Sequence, residues 1–242
     1  MSLRNAFDSP ETKRRYVRQL FSTIADRYDL ITALLSYGQD ARWKRTLVAL
    51  ANVRPGERAL DLACGTGDIA FAVAARGART VGLDITLRML QLADAKQGSA
   101  SGIARRVRFL GGDMTSLPFA PAVFDLVTTG YGLRNVPDLT AAIGEIARVL
   151  KPGGRLLSLD FNRPEPAAIR AVYLSYLTVV GAALGWVLHR DSETYRYIPA
   201  SIRRYPGAHG VAKQLRTHGF SNVRVVPVLF GLMTLHQAER SR

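Results

Sequence analysis

Between Arg58 and Phe161 the chain alternates short, unbroken apolar runs with stretches of helical spacing, and this rhythm limits its fold more than any other feature. "RALDLACG", "RTVGLDI", "RVRFLGGD", "FDLVTTGYG" and "GRLLSLDF" read as strands, with helices over 67–75, 86–97 and 138–150. A strand with one wet face alternates polar and apolar residues, whereas an unbroken apolar run is covered on both faces. Strands of the second kind, separated by helices, predict an α/β fold: a parallel sheet with helices on both sides.

The flanks extend this frame. Tyr16, Leu20, Ile24, Leu30, Leu34 and Leu35 recur at helical spacing over 11–51, with a break near Gly38. "NVRVVPVLFGLMTLHQA" has no helix between its apolar halves, so it reads as an antiparallel pair turning around Gly231, with Pro227 at an edge or bulge. The expectation is one domain with a mostly parallel, seven-stranded sheet and an antiparallel C-terminal strand. Residues 1–50 form a helical cap, 51–162 a cofactor-binding core, 163–210 a lid insertion, and 211–242 a helix and strand pair. The stretch 171–188 has no charge and carries a GxxxG at Gly181 and Gly185. Its length reaches the lower limit for crossing a bilayer. Because the chain afterwards returns to a sheet strand, a lid lying on the core or on a membrane surface is expected.

Composition narrows the partners. At 48% hydrophobic residues the chain can build a core, and its net charge of +14 favours anionic partners. The basic residues are scattered and nearly all arginine, and no nucleic-acid partner is expected. The single cysteine, Cys64, excludes an intrachain disulfide and a cysteine-rich metal site. The four histidines lack ligand spacing, so no metal is expected. The N-terminus has no apolar core of signal-peptide length, and a cytoplasmic location is expected.

"LDLACGTGDIA" places Gly65-Thr66-Gly67 between a strand and a helix, and Asp84 ends the next strand 19 residues past Gly65. Glycines let a backbone approach a ligand closely, and a carboxylate at the second strand's end can accept ribose hydroxyls. Three details favour S-adenosylmethionine (SAM) over a dinucleotide. Asp61 would repel a pyrophosphate but suit a cationic methionyl group. Asp113-Met114 ends the third strand, where a carboxylate and an amide can meet an adenine edge. "LKPGGRLL" makes a tight turn before the fifth strand. Gly130, ending the fourth strand, leaves room for the methionyl group.

This series resembles the Rossmann-like class I SAM-dependent methyltransferases over about residues 45–160. A narrower resemblance spans nearly the whole chain. "FSTIADRYDLITALLSYGQDARWK" (21–44), "FDLVTTGYGLRNVPD" (124–138), "YRYIPASIRRYP" (195–206) and "HGFSNVRVVPVLFGLMTLHQA" (218–238) are similar to signatures of the ubiquinone/menaquinone biosynthesis C-methyltransferases. Asp40-Ala41 departs from the family's usual His-Arg, a change that a surface or cofactor-covering role would tolerate better than proton transfer.

The resemblance implies methylation of a ring carbon of a polyprenylated hydroquinone, with demethylmenaquinol placed before the benzoquinol of ubiquinone biosynthesis. Arg134 stays protonated, since its pKa lies above about 12, so it is not a base. It is expected to stabilise the phenolate oxygen, with Asn135 orienting a ring oxygen. The alternatives are a salt bridge to the N-terminal helices for Arg134 and a turn or cap role for Asn135. For the base, water, Tyr28, Asp29 and Tyr197 stay open, with Tyr28 put first. A polyprenyl substrate implies peripheral contact with the inner face of the cytoplasmic membrane. Homo-oligomerisation stays open. Other readings are an NAD-dependent oxidoreductase, an RNA methyltransferase, and a non-catalytic SAM- or quinone-binding scaffold. The first lacks a catalytic Tyr-x-x-x-Lys, and the second lacks an Asn/Asp-Pro-Pro-aromatic tetrad after the fourth strand.

Overall fold

The computed structural model describes residues 3–99, 107–190 and 194–242. Strands β1 (Arg58–Leu62), β2 (Arg79–Asp84), β3 (Val107–Gly111), β4 (Phe124–Gly130), β5 (Leu150–Phe161), β6 (Phe220–Val228) and β7 (Met233–Arg240) form one sheet in the order β3-β2-β1-β4-β5-β7-β6. Only β7 runs against its neighbours, pairing antiparallel with β5 and β6. This is the expected seven-stranded α/β sheet. The unbroken apolar runs have the expected cause, because successive residues face opposite cores. In β4, Val127 packs with Ile143, Ile146, Val211 and Leu215 of the helices α6 (Leu139–Val149) and α9 (Gly207–Thr217). Leu126 packs on the other side with Leu47, Val48, Ile69 and Val73 of α3 (Asp40–Leu50) and α4 (Asp68–Ala75). Helix α5 (Leu87–Ser99) follows β2.

The N-terminal cap is built of α1 (Pro10–Ile24), α2 (Tyr28–Leu35) and α3, so the chain breaks at 25–27 as well as near Gly38. Helix α1 starts sharply for local reasons. Pro10 occupies its first turn, and Ser9 and Thr12 form a reciprocal capping box.

The insertion contains α7 (Ala167–His189) and α8 (Tyr197–Arg204). Helix α7 is long and apolar enough to cross a membrane by length and composition. Here it lies against the domain: Tyr173, Leu174 and Leu177 pack with Ile202 of α8, while Val172, Val179 and Trp186 are exposed.

Candidate functional site

The strand order reverses between β1 and β4, the place where an open α/β sheet leaves a crevice beyond its strand ends. The β1–α4 loop fills that crevice from below. Ala63, Gly65 and Gly67 all take positive φ, which folds the backbone into a tight nest. Cys64, buried in this loop, hydrogen-bonds through its N–H to the Leu83 carbonyl at 3.1 Å. Burial raises its thiol pKa well above the ordinary value. Asp84 ties the loop to β2, its Oδ2 accepting the Gly65 amide at 2.9 Å and its Oδ1 the Thr86 amide at 2.8 Å. Burial pushes the Asp84 carboxyl up, against the pull of those amides.

Above the loop lies a cleft of about 690 Å³, mouth included. Of the residues expected to hold a cofactor, Gly65, Asp84, Asp113, Met114 and Gly130 line it. The cap closes it, with Arg14 and Phe21 of α1 and Tyr28 of α2 on its wall. Arg14 Nε meets Asp113 Oδ2 at 2.6 Å, and Thr115 donates to Asp113 Oδ1 through both its amide and its hydroxyl. Burial works against the Asp113 charge, but Thr115 and Arg14 outweigh it and the pKa is lowered.

Asp61, Thr66 and Gly67 do not line the cleft. In β1, Leu60 and Leu62 face one core, so Asp61 faces the other way and is buried beneath the loop. Its Oδ1 accepts the Thr128 hydroxyl at 2.8 Å, and its Oδ2 is buried without a partner among the described residues. Burial lifts its pKa to about 7. Thr66, itself buried, turns away from the cleft, donating to Asp29 Oδ1 at 2.8 Å and accepting from Lys96 at 2.9 Å. Gly67 caps α4, where a Cβ would collide with Phe71.

A second cavity, about 1300 Å³ with its mouth, lies beside the first and is mainly apolar. Leu20, Ile24, Ile31, Leu35 and Trp43 come from the cap; Phe161, Tyr173, Leu177 and Ile198 face them. Phe21, Tyr28 and Tyr131 line both spaces and form the partition between them.

Arg134 lines this second cavity, but not as a free guanidinium. Its backbone amide and its Nε reach Asp160 at 3.0 and 3.3 Å, Nη1 donates to the Ser201 hydroxyl, and the Phe161 ring lies 5.0 Å from Cζ. The ion-pair partner is therefore on β5 and not on the N-terminal helices. From α1, Lys13 Nζ donates to the carbonyls of Arg134 and Val136 at 3.3 and 2.5 Å. Asn135 lies on the cofactor side instead of the substrate side. Its Nδ2 donates to the Tyr131 carbonyl at 2.7 Å, and its Oδ1 is buried without a partner among the described residues. Asp138, not Asn135, caps α6.

The base candidates divide. Asp29 is half-exposed and paired to Lys96 at 2.7 Å, outside both cavities. Burial pushes Tyr28 up to about 12 and raises Tyr197 as well, which disfavours either phenolate. Asp40 is buried rather than on the surface, and it accepts the Tyr131 hydroxyl at 2.6 Å. Tyr131, Asp160 and Ser201 have no role in the sequence reading, and Asp40 enters it only as a departure from the family pattern. The signals present were a tyrosine between two glycines and a lone carboxylate ending an apolar strand.

The cleft fits an adenosyl group. Asp84 and the partnerless Asn135 Oδ1 offer acceptors; Met89, Met114 and Ile85 supply apolar walls. A Cβ at Gly130 would sit 2.7 Å from Ile69, and one at Gly132 would overlap Thr129 and press on Ala63 and Met114. A side chain at either position would force Ile69 or Thr129 to shift.

Comparison with known proteins agrees with this geometry. The chain is 42% identical to a demethylmenaquinone methyltransferase of Thermus thermophilus over 223 residues, covering 91% of this chain and 100% of that one. It is 39% identical to the enzyme of that name from Mycobacterium marinum, covering 92% of each. A SAM-dependent methyltransferase from Thermotoga maritima has the same fold, with a TM-score of 0.68 at 18% identity over 93% of this chain and 100% of that one. A Haemonchus contortus phosphoethanolamine N-methyltransferase solved with SAM superposes with a TM-score of 0.62 at 16% identity, over 83% of this chain and 53% of that one. Residues 9–240 match the model of the ubiE/COQ5 methyltransferase family, and the chain belongs to that family.

Proposed function

We propose that this chain transfers a methyl group from SAM to a ring carbon of demethylmenaquinol, working at the inner face of the cytoplasmic membrane. The observation that carries the reading is the shared partition. A cleft suited to an adenosyl group and a larger apolar cavity meet at Phe21, Tyr28 and Tyr131, so two ligands of different chemistry can touch there. When bound, SAM supplies an electrophilic methyl group on sulfur. Asp84 would accept its ribose hydroxyls, Met89, Met114 and Ile85 would pack its base, and Asn135 Oδ1 would offer a further acceptor.

On the other side, the aromatic and aliphatic walls hold the ring and the start of its tail and keep water out. Methyl transfer needs donor and acceptor held in line in a dry site, and that positioning is the main contribution of the protein. Arg134 is fixed by Asp160 and Ser201 before any ligand arrives. Those two partners use only two of its five N–H donors, leaving others for a ring oxygen as negative charge builds.

The mouth of the second cavity supports a lipid-phase substrate. Tyr37, Tyr176, Leu229 and Phe230 line the cavity and are exposed, and Phe230 is fully so. Val172, Val179, Trp186 and Val187 continue an apolar surface along α7. Exposed apolar residues beside a strongly positive chain suit an anionic membrane surface. Incubation with labelled SAM and either reduced demethylmenaquinone or a demethylated benzoquinol, followed by mass spectrometry, tests the assignment. Labelling of the naphthoquinol is expected; no label in either quinol removes it.

A further inference from the structure

Tyr131 is held in a backbone conformation that a tyrosine seldom adopts. Its φ is +61°, in the left-handed region, between Gly130 and Gly132. Such a conformation is strained for a residue with a Cβ and persists only where the surroundings impose it. Here the Tyr131 amide donates to the Leu159 carbonyl at 2.7 Å, and the ring lies 5.8 Å from that of Phe161. The result is a ring fixed on the wall of both cavities, with its hydroxyl held by one partner. That hydroxyl donates to Asp40 Oδ1 at 2.6 Å. The other Asp40 oxygen meets Lys44 Nζ at 2.6 Å, and Lys44 reaches Asp68 at 3.0 Å.

The charged and titratable groups around Asp40 come from each element packed on it: Lys44 on its own helix, Tyr28 from α2, Asp68 from α4 and Tyr131 from the loop after β4, with Asp160 acting on Tyr131. Burial works against the Lys44 charge, but Asp68 and Asp40 outweigh it and its pKa is raised. Burial and the neighbouring Asp40 together raise the Tyr131 pKa well above the ordinary value. A standing tyrosinate is therefore not the base. A hydroxyl whose own proton already points at a carboxylate can, however, accept one proton while passing on another.

We infer that Tyr131 and Asp40 form the proton-accepting pair for the quinol hydroxyl, Tyr131 touching the substrate and Asp40 positioned behind it. This rests on the quinol reading above. As the ring O–H bond breaks, its proton goes to Tyr131 Oη and the Tyr131 proton passes to Asp40 Oδ1. The electron pair left on oxygen makes the adjacent ring carbon nucleophilic. That carbon bonds to the methyl group as the methyl–sulfur bond breaks, with the bonding pair staying on sulfur. Loss of the hydrogen on that carbon as a proton to water restores the phenolate. The phenolate recovers a proton from Tyr131, and Asp40 returns its own. One proton is released per turnover and the pair is reset.

Three variants of the full chain, assayed with labelled SAM and the quinol, test the pair. Tyr131→Phe and Asp40→Asn should each lower kcat roughly 100-fold or more, in the range of a lost acid–base group. KM and the calorimetric Kd for SAM should stay within about threefold. Asp40→His, which puts another proton acceptor in the same place, should recover at least tenfold of the loss, with an acid limb in the histidine range near ~6.5. Wild-type-like kcat in both Tyr131→Phe and Asp40→Asn overturns the pair, as does recovery absent in a folded Asp40→His. If those variants do not fold, Asp40→Glu, which keeps the carboxylate, is the second arm: a folded Asp40→Glu whose kcat is as low as a hundredth of wild type overturns it by itself. An active wild type with active variants removes only the proton pair. A wild type that labels no quinol removes the substrate reading as well.

Discussion

Arg134 and Asp160 meet twice inside the protein, through a backbone amide at 3.0 Å and through Nε at 3.3 Å, with both side chains almost wholly buried. Removing the arginine leaves an unpaired carboxylate in the interior, which typically costs about 3–5 kcal/mol. Arg134→Ala should therefore lower stability by about that amount in urea denaturation. Combining Arg134→Met with Asp160→Leu, which removes both charges together, should be less destabilising than the single change. An activity loss in Arg134→Ala then mixes chemistry with folding. Arg134→Lys, which keeps charge but not the fork, is the better probe of the ring-oxygen contact.

Asp61 gives a pH dependence of stability. Its folded pKa, about 7, lies above the ordinary carboxylate value near 3.8. An acid with a raised folded pKa contributes stability that is full below the unfolded value and is lost as pH rises through the folded one. Between about pH 4 and pH 7 the unfolded state binds fewer protons, so stability should fall with rising pH, by up to ~1.4 kcal/mol per unit. Asp61→Asn, which can still accept from Thr128, should flatten that part of the curve. Denaturant midpoints measured across the window check it.

Gly132→Ala should weaken both the fold and the cofactor cleft. The added methyl overlaps Thr129 and crowds Ala63 and Met114, and overpacking of this kind costs about 1–3 kcal/mol. Calorimetry should show SAM affinity reduced at least tenfold, and thermal unfolding should shift down. Gly98→Ala is the control: nothing lies within 4 Å of its new methyl and alanine is the better helix former in α5, so SAM affinity should not change and thermal unfolding should not shift down.

Leu35→Trp should act on the quinol alone. Leu35 lines the apolar cavity and not the cofactor cleft. Filling part of that space should raise KM for a long-tailed quinol roughly tenfold, since a few methylenes of lost fit are worth that much. SAM affinity should stay within twofold, and a quinol with a shortened tail should be less affected.

Phe230→Glu tests the exposed rim. Burying a phenylalanine side chain is worth about 1.5–3 kcal/mol, so placing a carboxylate there should weaken binding to anionic vesicles by about tenfold or more. Flotation at low and high salt measures it. Unchanged partitioning would mean that the rim does not enter the membrane.

Much of the core was readable in the sequence because its cause is local. Leu126 and Val127 are adjacent, both apolar, and buried in opposite cores, which is the meaning of an unbroken run. The place of Asp84, Asp113 and Gly130 on the cleft was readable for a related reason: Asp84 and Gly130 end parallel strands and Asp113 lies two residues past the end of another, and strand ends of that kind gather at one edge. Asp61 misled because its neighbours on β1 decide which way it points, and the motif does not carry that alternation. The Tyr131–Asp40 bond joins residues 91 apart, and the second cavity is assembled from side chains of the cap, β5, the insertion and the β6–β7 turn. No periodicity announces contacts of that range. They exist only once the cap has docked on the sheet.

Cys64 carries a practical consequence. It is the only sulfhydryl in the chain, it lies inside the glycine loop, and burial keeps its thiolate form scarce. An alkylating reagent can reach it only when the loop opens, so the modification rate of the unaltered protein is a clock for local unfolding at that spot. Ligands that settle over Gly65 should slow the clock in proportion to their occupancy. That gives a binding assay requiring no label, no mutation and no turnover.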